Sequence, residues 1–380
     1  MTGFKTVESA TSCNLCGGRE AVVAGTRGRF GVPLRNLLCL RCTLVWVDPR
    51  STQEELSAWY RDGYHSAYAG VGLLGPGGKV IAAGTPEHER MGRQALSDRV
   101  DAILKWTDLG ALGRRARVLE VGCRDGRLLE QLRDRAGSDV FGLEPSFAES
   151  DAAIARGIPC TCDTLEGFAP TQPFDAILLF HVLEHLRDPS SAIRKLRSML
   201  APGGALIVEV PNLYRPYGSL EDNFFQDAHL YTFSPRTLAW MMSRAGLAPQ
   251  LSAKQVLFAV ARPADSVEPD FAAGEGAEWV LRHLAAYRRW HRVTTMLAAG
   301  GYDDRTEAAC HALDRGAGGD NYKRHAFLRV GCAAIACGRH EAARRWLERC
   351  VELGDRDPDV ASMLDKLRHL RGVEAPTASP

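Results

Sequence analysis

The stretch Val118–Leu132, VLEVGCRDGRLLEQL, combines a short apolar run, a turn and a helical repeat of leucines. Gly122 and Gly126 bracket the turn, while Arg124 stands where a third glycine would be expected. In nucleotide-binding α/β folds, a strand, a glycine turn and a helix N-terminus together form the cofactor site. The stretch therefore predicts an α/β sheet that holds a cofactor at this turn.

Arg124 departs from the usual glycine pattern. If its φ is positive, a side chain there costs about 1 kcal/mol, which weakens cofactor binding without abolishing it. We expect the side chain to turn to solvent or to pair with an acid such as Asp125 or Glu144. Cofactor binding is therefore expected to survive, and an inactive binding fold is the alternative.

Two acidic residues end neighbouring predicted strands. Glu120 lies in the first strand, and Glu144 follows it by 24 residues in the motif GLEP. An acid about 20 residues after such a turn commonly accepts hydrogen bonds from ribose hydroxyls. The spacing Glu-x-Gly-x-x-x-Gly differs from the dinucleotide pattern Gly-x-Gly-x-x-Gly, so the glycines alone do not identify the cofactor.

The composition is that of an ordinary globular protein with two or three domains. The chain has 380 residues, of which 45% are hydrophobic and 24% are charged. A formal net charge of +1 provides no global basic field, so nucleic acid is disfavoured as the main partner. No signal-peptide pattern and no apolar run of roughly 18 residues occur in the sequence. We expect a cytoplasmic protein without membrane contact.

Four of the eleven cysteines form two C-x-x-C pairs separated by 22 residues: Cys13, Cys16, Cys39 and Cys42. This spacing fits one tetrahedral metal, and four thiolates favour Zn²⁺. A full coordination shell leaves no position for a substrate, so we predict a structural zinc ribbon. A redox dithiol or two accidental pairs are the alternatives, and the other seven cysteines are expected to be reduced.

The C-terminal part is predicted to be helical. The stretch AFLRVGCAAIACGRHEAARRWLERCVELG has the layout of a tetratricopeptide helix pair, and LAAGGYDDRTEAACHALDRG resembles a degenerate earlier copy. Small or apolar residues fall where that repeat packs, namely Gly331, Gly338, Ala343, Leu347 and Cys350. Such repeats predict a possible protein partner for this region.

Strand and helix patterns alternate from about residue 115 to 262, which indicates a doubly wound sheet with helices on both faces. Four segments are predicted: 1–50, a zinc-binding ribbon; 51–110, a helical lead-in with an active-site lid; 111–262, the cofactor domain; and 263–380, a helical tetratricopeptide-like domain with a disordered tail. The glycine-rich segment YHSAYAGVGLLGPGGK and the loop LYRPYGSLEDNFF are expected to select the substrate.

Several motifs together resemble the class I S-adenosylmethionine-dependent methyltransferases. They are EVGCRDG, FDAILLFHVLEHLRDP, LAPGGALIVEVPN and QDAHLYTFSPRTLAWMMSRAGL, within roughly residues 85–262. The cysteine-rich head resembles a zinc-binding segment fused to many such enzymes, and sugar C-methyltransferases of antibiotic pathways carry a related head. The resemblance implies a Rossmann-like, seven-stranded methyltransferase sheet and S-adenosylmethionine as cofactor.

The resemblance also implies a set of cofactor-binding residues at the strand ends. They are expected at the methionine end (Glu120, Gly122), in the turn and helix start (Cys123, Gly126), at the ribose (Glu144, Pro145), at the adenine (Asp163, Thr164) and beside the sulfonium (Phe180, His181). An aromatic ring beside a sulfonium favours it through a cation–π contact.

The motif HVLEH also fits a metal-binding pattern, because His181, Glu184 and His185 match the H-x-x-E-H pattern of one metallopeptidase group. Here the motif follows directly on a buried strand, and the same letters recur in the methyltransferase group without metal. We therefore predict that these histidines bind no zinc.

Methyl transfer to an alcohol or an acidic C–H also needs a base. His229 in DAHLYTFS is the candidate, because it lies beyond the carboxyl ends of the strands; a histidine hydrogen-bonded inside a loop is the alternative. Tyr231, Glu221 and Asp222 are weaker candidates. The predicted function is O- or C-methylation of a small molecule, sugar or glycan, in natural-product or glycan biosynthesis.

Two other functions stay open. One is a nucleic-acid methyltransferase, against which the fourth strand is followed by FHVLEH and not by the Asn/Asp-Pro-Pro-aromatic motif. The other is a scaffold that binds proteins through the ribbon and the helical repeats around a vestigial methyltransferase fold. Arg124 favours the scaffold slightly, while Glu144 and HVLEH oppose it.

Overall fold

The structure, a computed structural model, describes residues 6–8, 11–62, 73–74, 80–107, 109 and 114–370. The chain forms two compact units, Met1–Ala277 and Glu278–Pro380. The glycine-rich segment 64–79, predicted to select the substrate, lies outside the described residues except for 73–74. The tail 374–380, for which the sequence predicts disorder, also lies outside them.

The first unit alternates strands and helices. It begins with β1 (Thr6–Glu8), β2 (Glu20–Arg27), β3 (Pro33–Cys39), β4 (Val45–Val47), α1 (Gln53–Asp62), β5 (Leu73–Leu74), β6 (Val80–Ile81) and α2 (Pro86–Trp106). It continues with β7 (Arg117–Val121), α3 (Arg127–Ala136), β8 (Asp139–Leu143), α4 (Phe147–Ala155), β9 (Cys160–Thr161), β10 (Phe174–Phe180), α5 (Pro189–Ser198), β11 (Leu200–Pro211), β12 (Tyr231–Thr232), α6 (Pro235–Arg244), β13 (Leu247–Ala253) and β14 (Val256–Pro263). Single short helical turns occupy Arg29–Gly31, Leu183–His185 and Leu220–Phe224.

Among the described residues, seven strands form one sheet in the order β13-β14-β11-β10-β7-β8-β9. The five strands from β11 to β9 run parallel, while β14 is antiparallel to both of its neighbours. The predicted Rossmann-like, mostly parallel seven-stranded sheet is therefore confirmed. Because the carboxyl ends of parallel strands meet at one edge, Glu120, Glu144 and His181 come to the same edge of the sheet.

The central strands are buried on both faces, which explains their near-continuous apolar sequences. Ile177 and Leu179 of β10 belong to one apolar cluster, whereas Ala176 and Leu178 belong to another. Successive side chains of a strand point to opposite faces, so the two clusters are the two layers that sandwich the sheet.

A second sheet joins the cysteine-bearing segment to the loop that follows β11. Its order is β1-β2-β3-β4-β12, and Val45 and Trp46 of β4 pair with Thr232 and Tyr231 of β12. Several of its buried side chains, among them Leu37 and Trp46, belong to the same apolar cluster as one face of the seven-stranded sheet. The cysteine-bearing strands and the cofactor domain therefore share one core.

The second unit is helical, as predicted, and contains α7 (Ala277–Gly300), α8 (Asp304–Arg315), α9 (Asp320–Ala336), α10 (His340–Glu352) and α11 (Pro358–Leu370). Phe327, Trp346 and Leu347 lie in its core. A Cβ atom added at Gly331 would lie 2.7 Å from the Leu347 side chain, so α9 and α10 pack closely there. The tetratricopeptide assignment of this pair stays a prediction. Within the described residues, no helix is both long and apolar enough to cross a bilayer.

Candidate active site and metal centre

The turn between β7 and α3 has the left-handed backbone that its sequence requires. Gly122 has a φ of 71° and Gly126 a φ of 75°, and a Cβ at Gly126 would lie 3.2 Å from Ala153. Arg124 has a φ of 50°, the conformation that costs a side chain about 1 kcal/mol. Its side chain is 71% exposed and its nearest acid is Glu149, at 3.9 Å. The expectation that Arg124 turns to solvent therefore agrees with the structure.

Glu120 ends β7 beside this turn and is only 5% exposed. Its Oε2 atom has no hydrogen-bond partner among the described residues. Burial raises the pKa of its carboxyl group well above the ordinary value, and Arg99 opposes that shift. A buried carboxylate oxygen without a partner is costly. A cationic group such as the amine of S-adenosylmethionine would satisfy this oxygen, so Glu120 fits the expected cofactor.

Glu144 lies at the end of β8, on the other side of the same turn. Its carboxylate accepts hydrogen bonds from the backbone N–H groups of Arg124 and Ser146, each at 3.0 Å. These two bonds fix the carboxylate at the edge of the sheet, and each carboxylate oxygen can accept a further bond. Glu144 is therefore held where a ribose hydroxyl donor could reach it, and its contact with the Arg124 backbone ties the two strand ends together.

The remaining predicted cofactor residues follow the same strand ends. Cys123 is buried in the turn, with its sulfur 3.7 Å from that of Cys160. Pro145 follows Glu144, and its carbonyl lies 3.7 Å from the sulfur of Cys162. Asp163 and Thr164 come just after β9, where the Asp163 carboxylate accepts a bond from the Thr164 N–H at 2.6 Å.

Phe180 and His181 end β10 and contact two residues that the sequence interpretation missed, Arg99 and Glu209. The Arg99 guanidinium lies 5.2 Å from the centre of the Phe180 ring and donates two hydrogen bonds to Glu209, at 2.6 and 3.0 Å. One face of Phe180 is therefore already paired with a cation. An acid inside the apolar run LIVEVP signals Glu209, whereas no local pattern distinguishes Arg99 from the other charged residues of α2.

His181 has a positive φ of 55°, unusual for a residue with a side chain. Its Nε2 lies 3.1 Å from Glu209 and its Nδ1 lies 3.3 Å from Glu184. Burial alone would lower the pKa of this imidazole, but the carboxylates of Glu184 and Glu209 outweigh it and raise the pKa to about 9. His181 therefore carries a positive charge at neutral pH.

Glu184 lies at the centre of a group that we call the acid–histidine cluster, defined as Glu184, His181, His185 and His229. Its Oε1 atom lies 3.9 Å from His185 Nε2 and 4.0 Å from His229 Nε2. The rings of His185 and His229 meet edge to face, with centres 4.8 Å apart. The Tyr60 hydroxyl of α1 lies 2.8 Å from His185 Nδ1. The fold thus brings residues from three parts of the first unit together.

His229 and Tyr231, the two predicted catalytic residues, have different surroundings. Burial, His185, His181 and Arg29 lower the pKa of His229 well below its ordinary value, so this imidazole is neutral at pH 7. Tyr231 is buried in β12, where its hydroxyl contacts the Arg50 guanidinium and donates to the Arg187 carbonyl.

The weaker base candidates lie in the short helix Leu220–Phe224. Asp222 pairs with Arg27 at 2.8 Å, and both side chains are more than half exposed. Glu221 is the neighbouring residue in the same turn. Neither is among the residues that surround Glu184.

The four predicted metal ligands, Cys13, Cys16, Cys39 and Cys42, come together at two turns. Sulfur–sulfur distances are 3.5 Å for Cys13 and Cys42 and 3.4 Å for Cys16 and Cys39. A tetrahedral zinc with bonds of about 2.3 Å separates its sulfurs by about 3.8 Å. The donor set and its spacing therefore fit a structural zinc ion.

Residues 88–251 match a family model described as a methyltransferase domain. The ubiquinone biosynthesis O-methyltransferase of Bradyrhizobium diazoefficiens is 35% identical over 104 residues, which cover 25% of this chain and 40% of that protein. Its counterpart in Proteus mirabilis is 35% identical over 111 residues, covering 27% and 44% respectively. The chain thus spans less than half of the length of these curated relatives.

A solved structure that resembles the chain is the Burkholderia thailandensis 1,6-didemethyltoxoflavin N1-methyltransferase, bound to 1,6-didemethyltoxoflavin and S-adenosylhomocysteine. It is 18% identical with a TM-score of 0.42, covering 63% of this chain and all of that one. The sheet order and the family match together assign a class I S-adenosylmethionine-dependent methyltransferase domain to residues 88–251. The sequence resemblance is thereby confirmed for this part of the chain.

Proposed function

We propose that the protein is an S-adenosylmethionine-dependent methyltransferase that modifies a small-molecule or sugar acceptor at oxygen or carbon. The observation that carries the proposal is Glu120 Oε2, a buried acid without a partner in the described residues, beside the left-handed turn of a methyltransferase domain. Relatives named as ubiquinone biosynthesis O-methyltransferases favour oxygen on a small molecule as the acceptor atom.

In this proposal the cofactor lies across the ends of β7, β8 and β10. Glu120 and Gly122 bind its methionine end, and Glu144 binds the ribose hydroxyls. Phe180 and His181 border the sulfonium end, where the carboxylates of Glu184 and Glu209 offset the positive charge of His181. When bound, S-adenosylmethionine supplies a methyl group from a positively charged sulfur. Arg124 has its side chain in solvent and takes no part in binding.

His229 is the proposed base, because it is buried among the loops beyond the strand ends and is neutral at pH 7. A neutral imidazole nitrogen can take the proton that the acceptor must lose. We assign Tyr231 a structural role in β12, since its hydroxyl is held by Arg50 and Arg187. The Cys13–Cys42 zinc site is likewise proposed to be structural, and the helical unit is proposed as a region that binds a protein partner.

The test is calorimetric titration of the full-length protein with S-adenosylmethionine, followed by a methyl-uptake screen of phenols and nucleotide sugars. We expect saturable binding that Glu144→Ala weakens at least tenfold, because two ribose hydroxyls lose their acceptor. Arg262→Ala is the control, since this exposed residue is near the C-terminal end of β14. Because β14 runs antiparallel to β11, that end lies at the edge of the sheet opposite the proposed cofactor site. Absence of heat with the nucleoside would favour the scaffold function instead.

A further inference from the structure

Glu184 is a buried acid without hydrogen bonds at the centre of the acid–histidine cluster. It is 1% exposed, and neither of its carboxylate oxygens makes a hydrogen bond among the described residues. His181, His185 and His229 approach its Oε1 atom at 3.3, 3.9 and 4.0 Å, without hydrogen-bond geometry. A buried carboxylate that lacks hydrogen bonds is costly unless a positive charge is held beside it.

The three imidazoles differ in what else they contact. His181 already lies 3.1 Å from Glu209, and the Nδ1 atom of His185 lies 2.8 Å from the Tyr60 hydroxyl. In the described residues, neither ring nitrogen of His229 has a hydrogen-bond partner, and the carboxylate of Glu184 is its one charged contact within 4.0 Å. Among the three imidazoles, His229 is therefore the one whose ring orientation depends most on Glu184.

We propose that Glu184 is a positioning residue for His229, holding its Nε2–H toward Oε1 and leaving Nδ1 to accept the acceptor's proton. This inference rests on the proposed function, in which His229 is the base. A carboxylate opposite the N–H of a catalytic imidazole selects the tautomer and stabilises the imidazolium that forms. The distance of 4.0 Å is longer than a hydrogen bond, and in this proposal the contact shortens to one when substrate binds.

The groups that face His229 explain why a carboxylate is needed. His185 packs on its ring edge, while His181 and Arg29 place positive charge nearby, and all three oppose protonation of His229. Burial opposes it as well. Glu184 supplies an opposite charge 4.0 Å away, which it shares with His181, so a proton taken up by His229 has a carboxylate beside it.

Metal binding is the alternative role for the acid–histidine cluster, because Glu184, His185 and His229 have ligand atoms within 4.8 Å of one another. A tetrahedral metal with bonds of about 2.1 Å requires ligand atoms about 3.4 Å apart. The two nitrogens lie 3.9 and 4.0 Å from Glu184 Oε1, which is about 0.5 Å wider than such a shell. The geometry therefore favours proton positioning over metal binding.

The test needs no acceptor substrate, because it measures the tautomer and the pKa of the His229 ring directly. Full-length protein with ¹⁵N-labelled histidines is examined by NMR at pH 7.5, and its ring signals are followed on acidification; His229→Gln assigns the signal. In the wild type we expect the Nε2–H tautomer. Glu184→Gln should produce a mixture of tautomers and lower the pKa of His229 by about one unit or more. Once an acceptor is identified, kcat should fall on the order of 10²-fold with little change in KM.

Glu209→Gln is the matched control, because it removes a buried carboxylate that contacts His181 and not His229. It should alter the His181 signal and leave the His229 tautomer unchanged. If Glu184→Gln does not fold, Glu184→Asp keeps the charge, moves it away from the ring and should give an intermediate mixture.

An unchanged His229 tautomer and pKa in Glu184→Gln would overturn the inference. A second metal per chain, present in the wild type and absent from that variant, would overturn it in favour of the metal site. These outcomes are separate from those for the proposed function, which fails on absence of cofactor binding whatever the NMR result.

Discussion

The cysteine quartet and the acid–histidine cluster are both groups of four side chains, but they are assembled in opposite ways. The quartet consists of two C-x-x-C turns, so most of its geometry is local and its spacing is visible in the sequence. In the cluster, His229 joins three residues that precede it by more than 40 positions. A metal site of this kind can be predicted from a local motif, whereas a proton-transfer site can be identified only when the fold shows which residues come together.

The two regions are nevertheless joined by one sheet. Cys39 ends β3, the turn to Cys42 leads into β4, and β4 pairs with β12. The Val47 N–H also donates to the Leu230 carbonyl at 3.0 Å, one residue beyond His229. The cysteine quartet is thus connected to the proposed base through a few backbone hydrogen bonds.

Removal of a proposed zinc ligand should have the largest effect. Cys39→Ser should lose the metal and destabilise the first unit by several kcal/mol, because metal binding supplies folding free energy to a site of this kind. Since β12 depends on β4, methyl transfer should be lost as well. Elemental analysis and thermal unfolding check this. Cys337→Ser, an exposed cysteine of the second unit, is the control and should behave as wild type.

Metal content that stays at one per chain in Cys39→Ser would show that the quartet is not the metal site. If the metal leaves while turnover persists, the sheet does not couple the two regions, and they are independent sites.

Removal of the proposed base should come next in size. His229→Ala should lower turnover on the order of 10²-fold or more, with cofactor affinity nearly unchanged. Tyr231→Phe should instead cost about 1 kcal/mol of stability, through its lost hydrogen bonds, and little turnover. Near-normal turnover in His229→Ala would remove it as the base, and a reversed pattern would transfer the role to Tyr231.

Sequence patterns predict the parts of this molecule that depend on residues close together in the sequence. The apolar strands, the glycine turn, the acids Glu120 and Glu144 and the four cysteines could all be read from spacing. Arg99 could not, because nothing in the helix that carries it indicates that it faces Glu209. The same holds for Tyr60, which reaches His185 from a helix 125 positions away. Pairings of this kind are fixed by packing, which no local period encodes.

The pH dependence of stability should distinguish the acid–histidine cluster from the cysteine quartet by a smaller effect. The pKa of His181 is about 9 in the folded protein, above the value of about 6.5 in the unfolded chain. Its contribution to stability is therefore fully present below pH 6.5 and is lost as pH rises through 9. Allowing for a side chain that is 37% exposed, we expect a loss of about 1–2 kcal/mol.

Denaturant unfolding between pH 6 and 10 measures this effect in the wild type and in His181→Asn, whose side chain tolerates the positive φ. The difference in free energy of unfolding between the wild type and His181→Asn should decrease as pH rises. A constant difference would show that the carboxylates of the cluster do not hold a proton on His181.

The smallest effect is expected where the local pattern is broken, at Arg124. Its φ of 50° carries a cost of about 1 kcal/mol that Arg124→Gly relieves, although the glycine also increases the entropy of the unfolded chain. Only the Arg124 N–H contacts Glu144, and glycine keeps that group. Calorimetry should therefore find cofactor affinity equal or up to about fivefold tighter. A tenfold or greater loss of cofactor affinity would mean that the exposed guanidinium of Arg124 is itself a ligand. The glycine turn would then resemble the acid–histidine cluster, because it would depend on a contact that cannot be predicted from the spacing of its residues.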